Sequence, residues 1–257
     1  MIITLTTDFG LSDPYVAAMK GVILGINPDA RIVDVSHEIP AQDIDRAAFV
    51  IKGAYPFFPR DTVHVVVVDP GVGTERLILT VTTKDHVFLA PNNGVLKYVF
   101  EDHPDAKVTC VTQSEYFRET VSRTFHGRDI FAPVAAHLSK GLAAEKLGTP
   151  FAEFERGNVP AARRLGDRIV GEVIAFDRYG NAITNIPADR LPDGESVRVL
   201  VHNREFGCIS RSYLDVPAGE PLAIIGSADA LELSVNRGSA REKLRLHLGE
   251  TVTAVFH

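Results

Sequence analysis

The run Val63-His64-Val65-Val66-Val67-Val68-Asp69-Pro70-Gly71 constrains the fold more than any other part of the chain. Its four consecutive valines lack the polar alternation of a half-solvated strand. They predict a strand buried on both faces, as in a parallel sheet covered by helices. Asp-Pro-Gly then stops the strand, because proline cannot donate to the ladder and glycine permits the turn. Asp69 is left at the carboxyl end of a strand, where open α/β sheets bind their ligands. Arg76 follows after the loop Gly71-Val72-Gly73-Thr74-Glu75, which is able to fold the guanidinium back onto the carboxylate. The plainer alternative is an aspartate that caps its own turn, with Arg76 as a solvated partner.

The segments around this strand repeat its logic. Ile2 to Thr7 is a β-rich run ending at Asp8-Phe9-Gly10, which places a second acid at a strand's carboxyl end. A helix is predicted from about Pro14, capped by Ser12-Asp13, with Val16, Met19, Val22 and Ile23 as its apolar stripe. Arg31 to Ser36 reads as a strand with His37 just past it, and Asp43 to Tyr55 as an amphipathic helix. Strands are expected at Leu77–Thr83, Val87–Ala90 and Ala106–Thr112, with a short helix over Gly94–Phe100. Thr124-Phe125-His126-Gly127-Arg128-Asp129 precedes a helical pattern from Ile130 to Gly141. This alternation predicts βαβ units and a mostly parallel sheet.

From Gly157 to Asp167 the chain turns polar and irregular, and a domain boundary is expected there, dividing an α/β domain (1–160) from a second domain (167–257). Beyond it come short β-rich runs at Ile169–Phe176, Ala182–Ile186, Ser196–Val201, Pro221–Gly226, Ala230–Val235 and Thr251–Phe256. Turn signals at Asp177-Arg178-Tyr179-Gly180-Asn181 and Pro192-Asp193-Gly194 separate them, which suggests a small β-barrel or sandwich.

Composition narrows the function classes. A net charge of −6 argues against a general nucleic-acid binder. No segment reaches membrane-spanning length, and the first residues lack a basic signal-peptide start, so a cytoplasmic protein without a membrane partner is expected. The two cysteines, Cys110 and Cys208, match no metal or redox spacing and are expected to be buried in a reducing compartment. Asp8, His37, His64, Asp69 and His126 are scattered without the spacing of a zinc site, so no metal site is expected. Gly71-Val72-Gly73 lacks the Lys-Ser/Thr ending of a phosphate loop, and no serine-hydrolase elbow is present. The residues alone reach an α/β domain with a carboxylate, arginine and histidine site, followed by a β domain.

Five motifs in order carry the reading further: Thr6-Thr7-Asp8-Phe9-Gly10, Val68-Asp69-Pro70-Gly71-Val72-Gly73, Pro91-Asn92-Asn93-Gly94, Thr124-Phe125-His126-Gly127-Arg128-Asp129 and Asp177-Arg178-Tyr179-Gly180-Asn181. With Gly226-Ser227 and Val235-Asn236-Arg237-Gly238 near the end, this set resembles the S-adenosyl-L-methionine (SAM) hydroxide adenosyltransferases, relatives of the fluorinases and chlorinases. The resemblance covers nearly the whole chain. It implies an α/β domain followed by a small β-barrel, and a homotrimer with SAM held between subunits. It also implies hydrolysis of SAM to adenosine and methionine without a metal or redox cofactor.

The resemblance assigns Asp69, Arg76 and His126 to the catalytic constellation. Halogenating relatives carry tyrosine where this chain has Asp69, so the aspartate favours water over halide. Asp8 suits the ribose hydroxyls, since a carboxylate accepts two such hydrogen bonds; its plainer role is to cap the following helix. Tyr179 and Asn181 suit the adenine ring and edge, backbone near Val235 and Arg237 the same pocket, and Asp177 and Ser227 the methionine end. The Asp177–Asn181 turn is one residue shorter than in fluorinases. His126 stands as an alternative base or proton relay to Asp69. A halide-using synthase of the same fold, or a non-catalytic binder of SAM or adenosine, are the competing readings.

Overall fold

The computed structural model describes residues 1–192, 197–202 and 204–256. Two compact units divide the chain, Met1–Val159 and Pro160–His257. Asp193 and Gly194 of the expected Pro192 turn, and Ser196 at the start of an expected strand, lie outside the described residues.

The N-terminal unit is built on a sheet of β1 (Ile2–Thr7), β2 (Arg31–Ser36), β3 (Thr62–Val67), β4 (Ile78–Thr82), β5 (His86–Pro91), β6 (Lys107–Val111) and β7 (Gly148–Pro150), in the order β2-β1-β3-β5-β4-β6-β7. The pairs from β2 to β5 are parallel, and β4, β6 and β7 extend this core antiparallel. The change of direction follows from the short Thr83–Asp85 turn, which leaves no room for a crossover helix.

The valine run behaves as its pattern requires. Every residue of β3 is buried. Val63, Val65 and Val67 pack with α1 (Tyr15–Ile26) and α4 (Ala132–Ser139), joining Met19, Ile23, Phe131, Val134 and Leu138. Val66 and Val68 face the opposite layer, where α2 (Ile44–Ala54) and α3 (Lys97–Asp102) contribute Ala47, Ile51 and Val99. Burying a side chain of this size contributes about 1.5–3 kcal/mol, so the central strand is firmly anchored between the two helical layers.

Helix ends show where local chemistry held and where it did not. Asp43 caps α2, its Oδ1 accepting the Arg46 N–H at 2.9 Å. Gly141 (φ +93°) ends α4 with its N–H on the Leu138 carbonyl. The expected Ser12-Asp13 cap of α1 does not form: Pro14 occupies the cap position and no side chain satisfies that end. Asp8 does not cap this helix either. α3 begins at Lys97, three residues later than the Gly94 start, because Gly94 (φ +83°) sits in the preceding turn. Of the cysteines Cys110 is buried, but Cys208 is exposed on a bend.

The C-terminal unit is antiparallel throughout its ladders. It contains β8 (Arg163–Leu165), β9 (Arg168–Phe176), β10 (Ala182–Pro187), β11 (Val197–Val201), β12 (Arg204–Phe206), β13 (Pro221–Ile225), β14 (Ala230–Val235) and β15 (Thr251–Phe256). Their order is β12-β11-β15-β9-β10-β14-β13, with β8 paired to β9. Ser210, just past β12, bridges to Ile224 of β13, so the sheet curls into a nearly closed barrel. Alternate residues of β9 point inward, and Ile169, Val173, Val199, Leu233 and Val252 fill the interior. A short helix, α5 (Ala240–Lys243), is capped by Ser239.

Candidate active site

β1 and β3 are neighbours in the sheet although α1, β2 and α2 separate them in sequence. The chain leaves β1 toward one side and returns to β3 on the other, which opens a crevice at the carboxyl ends of the two strands. Asp8 directly follows β1 and Asp69 lies just past β3, and both line a cavity of about 340 Å³ there. Phe9, Tyr15, Ala41, Gln42, Val72 and the segment 124–127 form its other walls.

The loop after β3 doubles back through successive turns. Val72 N–H bonds the Asp69 carbonyl at 3.1 Å, and Thr74 Oγ1 bonds the Gly71 carbonyl at 2.7 Å. Arg76 is thereby returned to Asp69. Its Nε contacts both carboxylate oxygens at 2.9 Å, and its Nη2 donates to Oδ2 at 2.5 Å. The side chains are 12% and 5% exposed, so this is a mostly buried pair and not a solvated one. Gly73 (φ +79°) is required here, since a Cβ would lie 2.2 Å from the Arg123 carbonyl oxygen. That close approach fixes the loop against the segment leading to His126.

Arg76 Nη2 also donates to His126 Nδ1 at 2.7 Å. A guanidinium has only donors, so Nδ1 accepts and the neutral ring carries its proton on Nε2. Burial, and next the Arg76 charge, hold the His126 pKa below its ordinary value against the opposing charges of Asp69 and Asp129. Asp69 and His126 thus stand on the cavity wall, with Arg76 joining them from behind.

Two groups that the sequence did not single out position these residues. Asp129 is fully buried and accepts from Arg118, from Arg128 twice and from the Ser122 N–H. It clamps the 118–125 segment onto a widened π-type turn at Gly127–Phe131, immediately after His126. Its only sequence signal was its place in the Thr124–Asp129 motif. Gln42, at φ +67°, gives its N–H to Asp8 Oδ2 at 2.8 Å, pinning that carboxylate at the cavity. Phe9, Tyr15 and Phe125 pack edge to face or tilted, with ring centroids 5.1–5.9 Å apart, as an apolar wall.

In the C-terminal unit the structure brings most of the remaining candidates together. Asp177 accepts from the Tyr179 and Asn181 N–H groups and from Asn181 Nδ2, each at 2.9 Å, so it organises its own turn. Gly180 packs against Ser239, and Arg241 N–H bonds the Gly180 carbonyl at 2.9 Å. This sets Tyr179 and Asn181 beside the turn that carries Val235 and Arg237 (φ +55°). Tyr179 is exposed and Asn181 is buried. Ser227 is exposed on a separate turn, between β13 and β14. Tyr213, near β13, donates its hydroxyl to Glu232 at 2.9 Å. Among the described residues no group of three His, Cys, Asp or Glu side chains is arranged to hold a metal ion.

Comparisons with known proteins agree with this architecture. Residues 3–148 match the model of the SAM hydroxide adenosyltransferase N-terminal domain, and residues 171–253 that of the C-terminal domain. The chain is 39% identical over 253 residues to the (R)-S-adenosyl-L-methionine hydrolase of Thermus thermophilus, covering 96% of each. It is 40% identical over 270 residues to the protein of that name from Methanocaldococcus jannaschii, covering 99% of this chain and 96% of that one. A crystal structure of an uncharacterized conserved protein from Thermotoga maritima superposes with a TM-score of 0.92 at 40% identity, covering 99% and 100% of the two chains. With both domains matched and relatives aligned nearly end to end, the chain belongs to the SAM hydroxide adenosyltransferase family.

Proposed function

We propose that this protein hydrolyses S-adenosyl-L-methionine to adenosine and L-methionine by attack of water at C5′. The observation that carries the reading is the Asp69–Arg76–His126 linkage at the mouth of the β1/β3 crevice, in a family whose relatives are SAM hydrolases.

The chemistry asks little of an acid catalyst. As water oxygen bonds C5′, the C–S bond breaks and its electron pair returns to sulfur, which leaves as a neutral thioether. The difficulty is to present a poorly solvated nucleophile in line with that bond. Phe9, Tyr15 and Phe125 supply apolar walls that exclude bulk water. Asp69 receives the proton that water loses. His126 does not serve as the base. Its Nδ1 lone pair is engaged by Arg76, so the ring offers an Nε2–H that orients the attacking oxygen. Arg76 fixes both groups.

Asp8 holds the ribose hydroxyls, its second oxygen left for that purpose by the Gln42 contact. Tyr179, Asn181 and the backbone near Val235 and Arg237 hold adenine, while Asp177 and Ser227 hold the methionine end. The protein acts as a homotrimer in which different subunits complete each site, and it needs no metal or redox cofactor, since a neutral leaving group requires no Lewis acid.

Incubation with SAM in labelled water, with and without chloride or bromide, tests the reaction. Methionine and adenosine labelled at the 5′-hydroxyl are expected in both cases. A 5′-halo-adenosine, or binding without product, overturns the reading. For the assembly, subunit exchange between inactive Asp69→Ala and Asn181→Ala proteins should recover part of the activity; persistent inactivity counts against shared sites.

A further inference from the structure

His37 is almost fully buried, at 4% exposure, although no step of the proposed reaction uses it. It follows β2, whose pairing with β1 slips by one residue: Leu5 lies opposite Asp34, and Thr6 opposite Ser36. Asp34 and His37 are three residues apart, so a regular strand would send them to opposite faces. The extra residue, Val35, re-aims the chain, as bulges beside active sites do, and the two side chains meet. His37 Nε2 lies 3.0 Å from Asp34 Oδ1, a charge contact and not an aligned hydrogen bond. Lys20 of α1 donates to Asp34 Oδ2 at 2.6 Å.

The other ring nitrogen faces the end of β1. His37 Nδ1 is 2.9 Å from Thr7 Oγ1, and both side chains are buried. The nearby Asp34 carboxylate favours the ring proton on Nε2, so Nδ1 accepts from the Thr7 hydroxyl. The Thr7 oxygen in turn accepts the Phe9 N–H at 3.3 Å. The His37 backbone adds a further tie, its carbonyl accepting the Gly10 N–H at 2.8 Å. Asp8 lies between these points, with Thr7 held on one side of it and Gly10 on the other. The loop that His37 opens then runs to Gln42, whose N–H grips Asp8 Oδ2. One residue thus fixes both the turn that carries the carboxylate and the loop that holds it.

We propose that His37 is a positioning residue for ribose recognition, locking the Thr7–Gly10 turn to the 37–42 loop so that Asp8 meets the ribose hydroxyls in one orientation. It acts through Thr7 and the backbone and touches no substrate, while Lys20 and Asp34 steady its ring. A carboxylate already held in its binding orientation spends less of its interaction on ordering. This assignment rests on SAM being the substrate and on Asp8 binding its ribose.

The test compares kcat/KM for SAM with that for its 2′,3′-dideoxy analogue, which keeps the sulfonium and adenine and lacks the two hydroxyls. Wild type should prefer SAM. His37→Phe keeps a flat ring without its nitrogens. It should narrow the preference by about 3- to 10-fold, chiefly through KM for SAM, with kcat within about twofold of wild type. His37→Asn, whose amide oxygen can stand in for Nδ1, should restore much of it. Thr7→Val removes the same hydrogen bond from the other side with a side chain of equal shape, and it carries the comparison if the phenylalanine variant does not fold. In an Asp8→Ala background, His37→Phe should narrow the preference no further. A histidine that only braces the loop would lower the melting temperature and leave the wild-type preference intact; that result overturns the assignment alone. A wild type that leaves SAM intact overturns the substrate reading, and one indifferent to the hydroxyls overturns the ribose role of Asp8; the assignment falls with either.

Discussion

Replacing Asp69 by asparagine separates its charge from its shape. The variant keeps one acceptor oxygen for Arg76 but strips a mostly buried guanidinium of its counter-charge. Removing one partner of a buried pair costs about 3–5 kcal/mol. Arg76 retains the His126 bond, the face of Phe131 at 5.8 Å and 12% exposure, so the low end applies, about 3 kcal/mol. For a unit of this size that corresponds to roughly 6–12 °C in the transition of the N-terminal unit. Turnover should fall further than stability implies. Loss of general-base assistance lowers kcat by ~10²–10⁴-fold, while SAM affinity, measured by calorimetry, stays near wild type. Paired calorimetric melting and single-turnover measurements on Asp69→Asn give both numbers. A variant that melts early yet keeps kcat within about tenfold would make the pair a scaffold only and remove Asp69 from the chemistry.

Three further outcomes follow from the same geometry. In the proposed mechanism His126 acts in its neutral form, and its pKa is held below the ordinary 6.5, so the acid limb of kcat/KM should lie below that pH; a limb at or above it would contradict the Arg76 contact. His64 is fully buried and its pKa falls to about 3, first through burial and then through His86. Its neutral form therefore contributes stability above the unfolded pKa near 6.5 that is lost as pH falls toward 3, with a slope of up to about 1.4 kcal/mol per pH unit. Denaturation at several pH values should show that slope flattened by about one proton in His64→Phe, a ring of similar size stacked on Phe88. Gly73→Ala meets both a positive φ and the Arg123 carbonyl, so it should cost more than ~1 kcal/mol and reduce kcat by loosening the loops on either side of Arg76; unchanged melting and turnover would refute that interlock.

Much of the fold was legible because it is written in local patterns. Four valines in a row announce a strand covered on both faces, and burial of all of β3 is the same fact in three dimensions. Asp-Pro-Gly marks where that strand must stop, so Asp69 was placed at a strand end without coordinates. The period-2 runs after residue 167 announce a β unit for the same reason. The five ordered motifs pointed to the family, and both of its domain models match the chain.

What the sequence alone left open depends on which distant segments meet. The order β2-β1-β3 sets the ends of β1 and β3 around one crevice, and strand order is a property of the whole sheet. The Arg76–His126 bond spans 50 residues, and it decides that Nδ1 accepts, which leaves the ring proton on Nε2. Ser12 and Asp13 carried a valid local signal, yet Pro14 took the cap position they were expected to fill. Glu232 looked like any charged residue in a strand, because alternation places it on the outer face and only the packing of the Tyr213 segment buries it. Local patterns fix which surface a residue presents; what covers that surface is decided by chain segments far away in sequence, and the site's chemistry resides in that covering.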